Sequence, residues 1–259
     1  MKYVGLTLIW LISTLLGSPA TADLAAEQRL AGSFMRATDL AGEVVTLGDP
    51  GDPVVALYRL HQLPEARGGV ILLHDSRANA NSHEVIRPLR LRLADAGWHT
   101  LSVQLAVAYD GSGTALDVTR QRLAAAITWF RQRDVLNLAV IADGDSAVAA
   151  LDSVSNDKPD EVRAVVIIGS ALGDARDEAI QTAFTALEVP LLDVVAQHDR
   201  PDVLTGAEVR REWARKTQQD FRQRVVDAAY PGYSATTDSL VVTVRAWLAK
   251  RIAGVEVRR

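Results

Sequence analysis

The chain holds five imidazoles, His61, His74, His83, His99 and His198. Four short polar clusters follow apolar runs: His74-Asp75-Ser76, Asp143-Gly144-Asp145-Ser146, Gly169-Ser170 and His198-Asp199. Together they carry a hydroxyl, an imidazole and a carboxylate, the three groups of nucleophilic acyl transfer. Ser146, His74 and Asp199 are the candidates for that chemistry. Asp75, Asp143, Asp145 and Asp199 could instead hold a hard cation, since such ions prefer carboxylate oxygens. Each residue also has a plainer role. Asp143 and Asp145 suit the N-cap of a following helix. His74 suits a strand end bonded to backbone, and His198 a loop surface. Ser170 fits a turn.

These clusters need elements to position them. A helix is expected over Leu24–Arg36, then two strands, Glu43–Leu47 and Val54–Leu60, joined by the turn Gly48-Asp49-Pro50-Gly51-Asp52-Pro53. Gly69–His74 is an apolar run suited to a strand buried on both faces. Strands follow at His99–Leu105, Leu136–Ala142, Val162–Ile168, Pro190–Ala196 and Arg224–Ala228. Helices are expected at Ser82–Ala96, Ala115–Arg133, Ser146–Val154, Arg176–Leu187, Gly206–Phe221 and Ala235–Ile252. The alternation implies a mostly parallel sheet with helices on both faces. In such sheets ligands bind beyond the carboxyl ends of the strands, which is where the four clusters fall. His74, Asp75, Asp143, Gly144, Asp145, His198 and Asp199 are therefore the expected pocket residues. The loop 106–113 is expected to cover the site. Trp98, Trp129 and Trp247 are core candidates, and the basic run Arg87–Arg92 reads as a solvated helix face.

The turn Ala142-Asp143-Gly144-Asp145-Ser146 joins an apolar strand to a helix of small residues. That is the shape of a nucleophile elbow, G-x-S-x-G, in which small residues let strand and helix approach. One register puts Ala142 and Ser146 at the glycine positions and Gly144 at the nucleophile. The other makes Ser146 the nucleophile and puts Val148 where a small residue is needed. The first register fits the helix start better.

With the early hairpin, the LLH strand end, LADAGW–TLSVQL and VPLLDVVAQHDRPDV, the elbow resembles the α/β-hydrolase superfamily. GGVILLHDSRANANSHEVIRPLRLRLADAGWHTLSVQL is similar to an uncharacterised family of exported proteobacterial α/β-hydrolase-like proteins. The resemblance spans roughly residues 24–253. It implies a three-layer sandwich with a mostly parallel sheet of about eight strands. It also implies an oxyanion donor after His74, an acid at Asp199 and a histidine after the last strand. Asp75 stands where the family has glycine, and no histidine follows residue 198. The stretch Ala228-Ala-Tyr-Pro-Gly-Tyr-Ser234 lies there instead. The expectation is a hydrolase scaffold with a degenerate triad, acting as a non-catalytic binding or envelope-associated protein. The alternative is an esterase rearranged around Ser146, His74 and Asp199.

Composition narrows the field. Hydrophobic residues make up 48% of the 259, enough for a core, so the chain is not expected to be disordered. Cysteine is absent, which excludes disulfides and thiolate metal sites. The net charge of -4 disfavours nucleic acid as a partner. No cofactor and no metal are expected. Lys2, the apolar run Val4–Leu16 and Ala20-Thr21-Ala22 form the three parts of a secretory signal. The run is about 13 residues, short of the roughly 20 that span a bilayer. The expectation is cleavage after Ala22, one domain over residues 23–259, no transmembrane segment in the mature chain and a periplasmic location. The expected partner is a small ligand or an envelope protein.

Overall fold

The structure is a computed structural model and describes residues 24–51, 53–106, 113–173, 178–217, 219–229, 233 and 236–253. The signal segment and most of the loop 106–113 lie outside these residues.

Eight strands form one sheet: β1 (Glu43–Leu47), β2 (Val54–Arg59), β3 (Gly69–Leu73), β4 (His99–Val103), β5 (Leu138–Asp143), β6 (Val162–Ile168), β7 (Leu191–His198) and β8 (Phe221–Ala229). Their order is β1-β2-β4-β3-β5-β6-β7-β8. β2 runs opposite to the other seven strands and pairs antiparallel with β1, through a hairpin, and with β4. All other pairings are parallel. The central strand β3 is buried along its whole length, and β5 and β6 are buried apart from the partly exposed Asp143 and Arg163, as their aliphatic runs require.

Helices cover both faces. On one side α3 (Gly113–Arg131), α4 (Ser146–Asp157), α5 (Glu178–Thr185) and α6 (Pro201–Thr217) pack on the sheet. Leu123, Phe130, Leu151, Phe184 and Trp213 join strand residues in this half of the core. On the other side α2 (Ile86–Asp95) and α7 (Thr237–Arg251) bury Ile86, Leu89, Leu93, Leu240, Val244 and Leu248 with Trp98. The leading helix α1 (Leu24–Arg36) rests its Phe34 against Leu40, Leu57 and Ala80. The result is the expected three-layer α/β sandwich. Among the described residues no helix is long and apolar enough to cross a membrane.

Three elements, α2, α6 and β8, start three or more residues away from where the sequence reading puts them. Helix α2 begins at Ile86, four residues later than the Ser82 start. The Ser82 hydroxyl accepts from Asn79 N–H at 2.7 Å and donates to Asn79 O at 2.9 Å, so the segment forms a turn. Helix α6 begins at Pro201, because proline favours the first helical position. Residues from Phe221 then belong to β8, which pairs along β7 from Leu191 onward. The basic run over α2 is not wholly solvated. Arg90 is fully buried and donates to Leu40 O at 2.9 Å and Asn81 Oδ1 at 2.8 Å. Of the three tryptophans, Trp98 and Trp129 are buried and Trp247 only partly so.

Candidate functional site

A cavity of about 570 Å³ opens at the carboxyl ends of β3, β5, β6 and β7. Asp75, Asp143, Gly144 and Asp199 line it. Gly169 and Tyr233 join the floor, and Asn79, Ser82, His83, Glu84 and Val85 supply the wall from the loop before α2.

The turn from β5 into α4 has its left-handed residue at Gly144, with φ +60. Glycine adopts this conformation without a Cβ penalty. Space also favours glycine there. A Cβ at this position would fall on Asp75 Oδ2, with Asp75 Cγ 2.8 Å and Cβ 3.0 Å away. The Asp75 carboxylate therefore fills the volume above the turn. Its Oδ2 accepts from Asp145 N–H at 3.4 Å, and its Oδ1 accepts from Arg77 N–H at 3.0 Å. An ion pair with the exposed Arg77 Nε, 3.4 Å away, adds to this loop.

Asp145, Ser146 and His74 are each held by hydrogen bonds to neighbouring groups. Neither Asp143 nor Asp145 caps α4 through its side chain; Asp145 is the N-cap residue, but its carboxylate accepts from Ser76 Oγ at 2.8 Å. This draws Asp145 off the cavity wall. Ser146 is the first residue of α4 and is buried. Its hydroxyl donates to Asp143 O at 2.9 Å and lies 3.2 Å from Leu73 O. His74 is also buried, and both ring nitrogens are engaged. Nδ1–H donates to Asp75 O at 2.7 Å, and Nε2 accepts from Leu105 N–H at 2.9 Å. It ties the end of β3 to the segment after β4. No hydrogen bond joins Ser146, His74 and Asp199 among the described residues. His198 is exposed at the end of β7 and does not line the cavity, since the strand carries its side chain outward before the chain turns into α6.

Asp75, Glu84, Asp143 and Asp199 line the cavity together with Arg77 and Arg200. The Asp143 carboxyl is pushed up to about 8, first by burial and then by the charges of Asp75, Glu84, Asp199 and Asp145. At neutral pH it holds a proton. Tyr233 is buried and held well above the usual phenol range by burial, Asp199 and Asp143. Its hydroxyl reaches Val194 O at 3.4 Å. His74 is pulled down to about 4, chiefly by burial, so it stays neutral. Despite its four acidic side chains, the cavity is no ready metal site. Among the described residues no group of three or more histidines or carboxylates is placed to hold an ion. The cation-binding arrangement of Asp75, Asp143, Asp145 and Asp199 therefore does not form.

Sequence reasoning missed Tyr233 and the wall Asn79–Val85. Tyr233 lay inside the very stretch searched for a histidine. The expected helix starts at Ser82 and so takes in only part of this wall, whose Asn-Ala-Asn-Ser stretch favours a turn. A buried pair was also missed. Arg210 of α6 meets Asp193 of β7 through two bonds of 3.0 Å, both residues fully buried. Arg210 also holds Ser170 O at 3.0 Å and Leu172 O, fixing the loop behind the cavity floor. An aspartate inside the apolar run Leu191–Ala196 was the available signal.

Known proteins match this architecture. Est1E from Butyrivibrio proteoclasticus superposes with a TM-score of 0.64 at 12% identity, covering 82% of this chain and 99% of its own. An esterase from Pyrococcus furiosus gives 0.65 at 14%, covering 83% and 95%. A putative dienelactone hydrolase from Klebsiella pneumoniae gives 0.62 at 15%, covering 83% and 98%. At these identities the likeness shows the fold alone, that of the α/β-hydrolases. No curated protein matches the sequence. A family model described as a protein of unknown function, DUF3530, matches residues 18–115 and 110–250. The chain belongs to the DUF3530 family and carries the α/β-hydrolase fold.

Proposed function

We propose that this protein is an exported α/β-hydrolase-fold protein that binds a small ligand or an envelope partner at this cavity and does not hydrolyse it. One observation carries the reading: the Asp75 carboxylate occupies the space where an elbow nucleophile on Gly144 would stand. Two further features support it. In a hydrolase elbow the N–H after the nucleophile helps to hold the oxyanion. Here that N–H, on Asp145, faces Asp75 Oδ2. The Asp75 carboxylate also has the wrong sign for acyl transfer at this elbow. A negative charge developing about 4 Å from a carboxylate costs about 4 kcal/mol at an effective dielectric of 20. An oxyanion donor supplies about 3–4 kcal/mol in the opposite sense. A neutral or cationic ligand suits this carboxylate.

The esterase alternative would need Ser146 released from the Asp143 carbonyl and His74 released from Asp75 and Leu105. No observation favours it. The test is direct. The purified protein is expected to show no turnover of nitrophenyl esters and no labelling by a fluorophosphonate. Labelling at Ser146 that Ser146→Ala abolishes would overturn the reading. Export has its own check: the protein recovered from the periplasm should begin at Asp23.

A further inference from the structure

A second cleft lies far from the first cavity, at the β8 edge of the sheet. Its volume is about 530 Å³. Arg222 and Arg224 project into it from the same face of β8, being two residues apart. From α7, Lys250 and Arg251 close one end, and Val242, Ala246 and Trp247 form an apolar wall. Four cations thus share one trough on a chain whose net charge is -4.

Their pairing is incomplete. Arg251 reaches Asp220 Oδ1 at 2.7 Å, an exposed pair. Among the described residues Arg222, Arg224 and Lys250 have no ion-pair partner. The indole Nε1–H of Trp247 is buried and has no acceptor. An edge strand gains from charged side chains, which discourage pairing with another sheet. That role explains Arg222 and Arg224. It does not require α7 to aim Lys250 and Arg251 at the same trough, or an unpaired indole donor beside them.

We infer that this cleft binds a phosphate ester, with Arg222, Arg224, Lys250 and Arg251 around the phosphate and Trp247, Ala246 and Val242 against the organic part. Arginine forks match phosphate oxygens two at a time, and Lys250 adds a point charge. The ester can be a lipid headgroup or a soluble molecule, and the two sources are separable by experiment.

The probes are phosphatidylglycerol vesicles, with phosphatidylcholine vesicles as the neutral control, and free glycerol phosphate. Wild-type protein is expected to bind one of the two anionic probes. Cosedimentation with the vesicles marks a lipid source, and a calorimetric signal with glycerol phosphate marks a soluble one. The exposed double variant R224Q/K250Q should bind about 25-fold more weakly, about fivefold per cation. An unchanged melting temperature shows that this variant is folded. R224K/K250R keeps the charge and should bind within a few fold of wild type. Absence of binding to both probes overturns the inference. So does equal binding by R224Q/K250Q, or loss of binding in R224K/K250R.

Discussion

The carboxylate of Asp75, at the exit of β3, lies directly over Gly144, at the turn from β5 into α4, with Asp75 Cβ 3.0 Å from the point where a Cβ on Gly144 would sit. The two residues are 69 positions apart, and each makes sense only with the other. Without a side chain, Gly144 leaves room for the carboxylate. With the carboxylate there, the elbow cannot carry a serine unless Asp75 swings away.

This gives a double-mutant prediction. Gly144→Ser should destabilise by about 2–4 kcal/mol, from the left-handed backbone and the overlap with Asp75. In an Asp75→Gly background the same change should cost at least about 1 kcal/mol less, as expected for residues in contact. Urea unfolding of the four proteins measures the coupling. Additive costs would show that the two side-chain positions do not compete.

His74 predicts a loss of stability in mild acid. Its folded value, about 4, lies below its ordinary 6.5. The unfolded chain therefore takes up a proton first as pH falls. Stability is complete above 6.5 and declines as pH drops from 6.5 towards 4, by about 3 kcal/mol in all. His99, also lowered to about 4 by burial and His61, acts in the same direction. Imidazole titration by NMR should find His74 neutral at pH 5.5. A midpoint near 6.5 would contradict the buried, doubly bonded ring.

Asp143 works in the opposite sense. Its folded value, about 8, is raised above its ordinary 3.8. The folded chain keeps the proton that the unfolded chain loses. Its favourable contribution is complete below 3.8 and is lost as pH rises from there to 8. Asn resembles the protonated carboxyl, so Asp143→Asn should stabilise by at least about 1 kcal/mol at pH 8 and by little at pH 4. Melting temperatures of both proteins across that range test the crossover. A constant difference between them would refute it.

The Arg210–Asp193 pair predicts a large asymmetry between single and double changes. Removing one partner strands a buried charge, so Arg210→Met or Asp193→Asn should cost about 3–5 kcal/mol. The double change Arg210→Met with Asp193→Leu should recover much of that loss. The loop holding Ser170 and Leu172 should become more open to hydrogen exchange in each single variant. Full protection in Arg210→Met would argue against a positioning role for Arg210.

The elements were legible because their signals are local. The aliphatic runs Gly69–Leu73 and Val162–Ile168 can only be strands covered on both faces, and the helices between them force parallel crossovers. The hairpin of β1 and β2 follows from its turn residues, and the elbow from small residues on either side of Gly144. These patterns also placed Asp75, Asp143, Gly144 and Asp199 at strand exits. The sequence alone also established that no cysteine and no histidine beyond residue 198 were available for the chemistry the fold usually houses.

Partnerships across the chain were decided only by folding. Ser146, His74 and Asp145 had the right chemistry for an active site, yet backbone carbonyls, Leu105 N–H and Ser76 claim them. Tyr233 entered the cavity, and Asp75 closed over Gly144. Arg222 and Arg224 came to face Lys250 and Arg251 because β8 forms the sheet edge and α7 packs back beside it. Periodicity encodes which face a residue takes, because it depends on neighbours a few positions away. It carries no record of which distant side chain will supply the hydrogen bond or the charge, because those distances are set by the packing of the whole sheet and its helices.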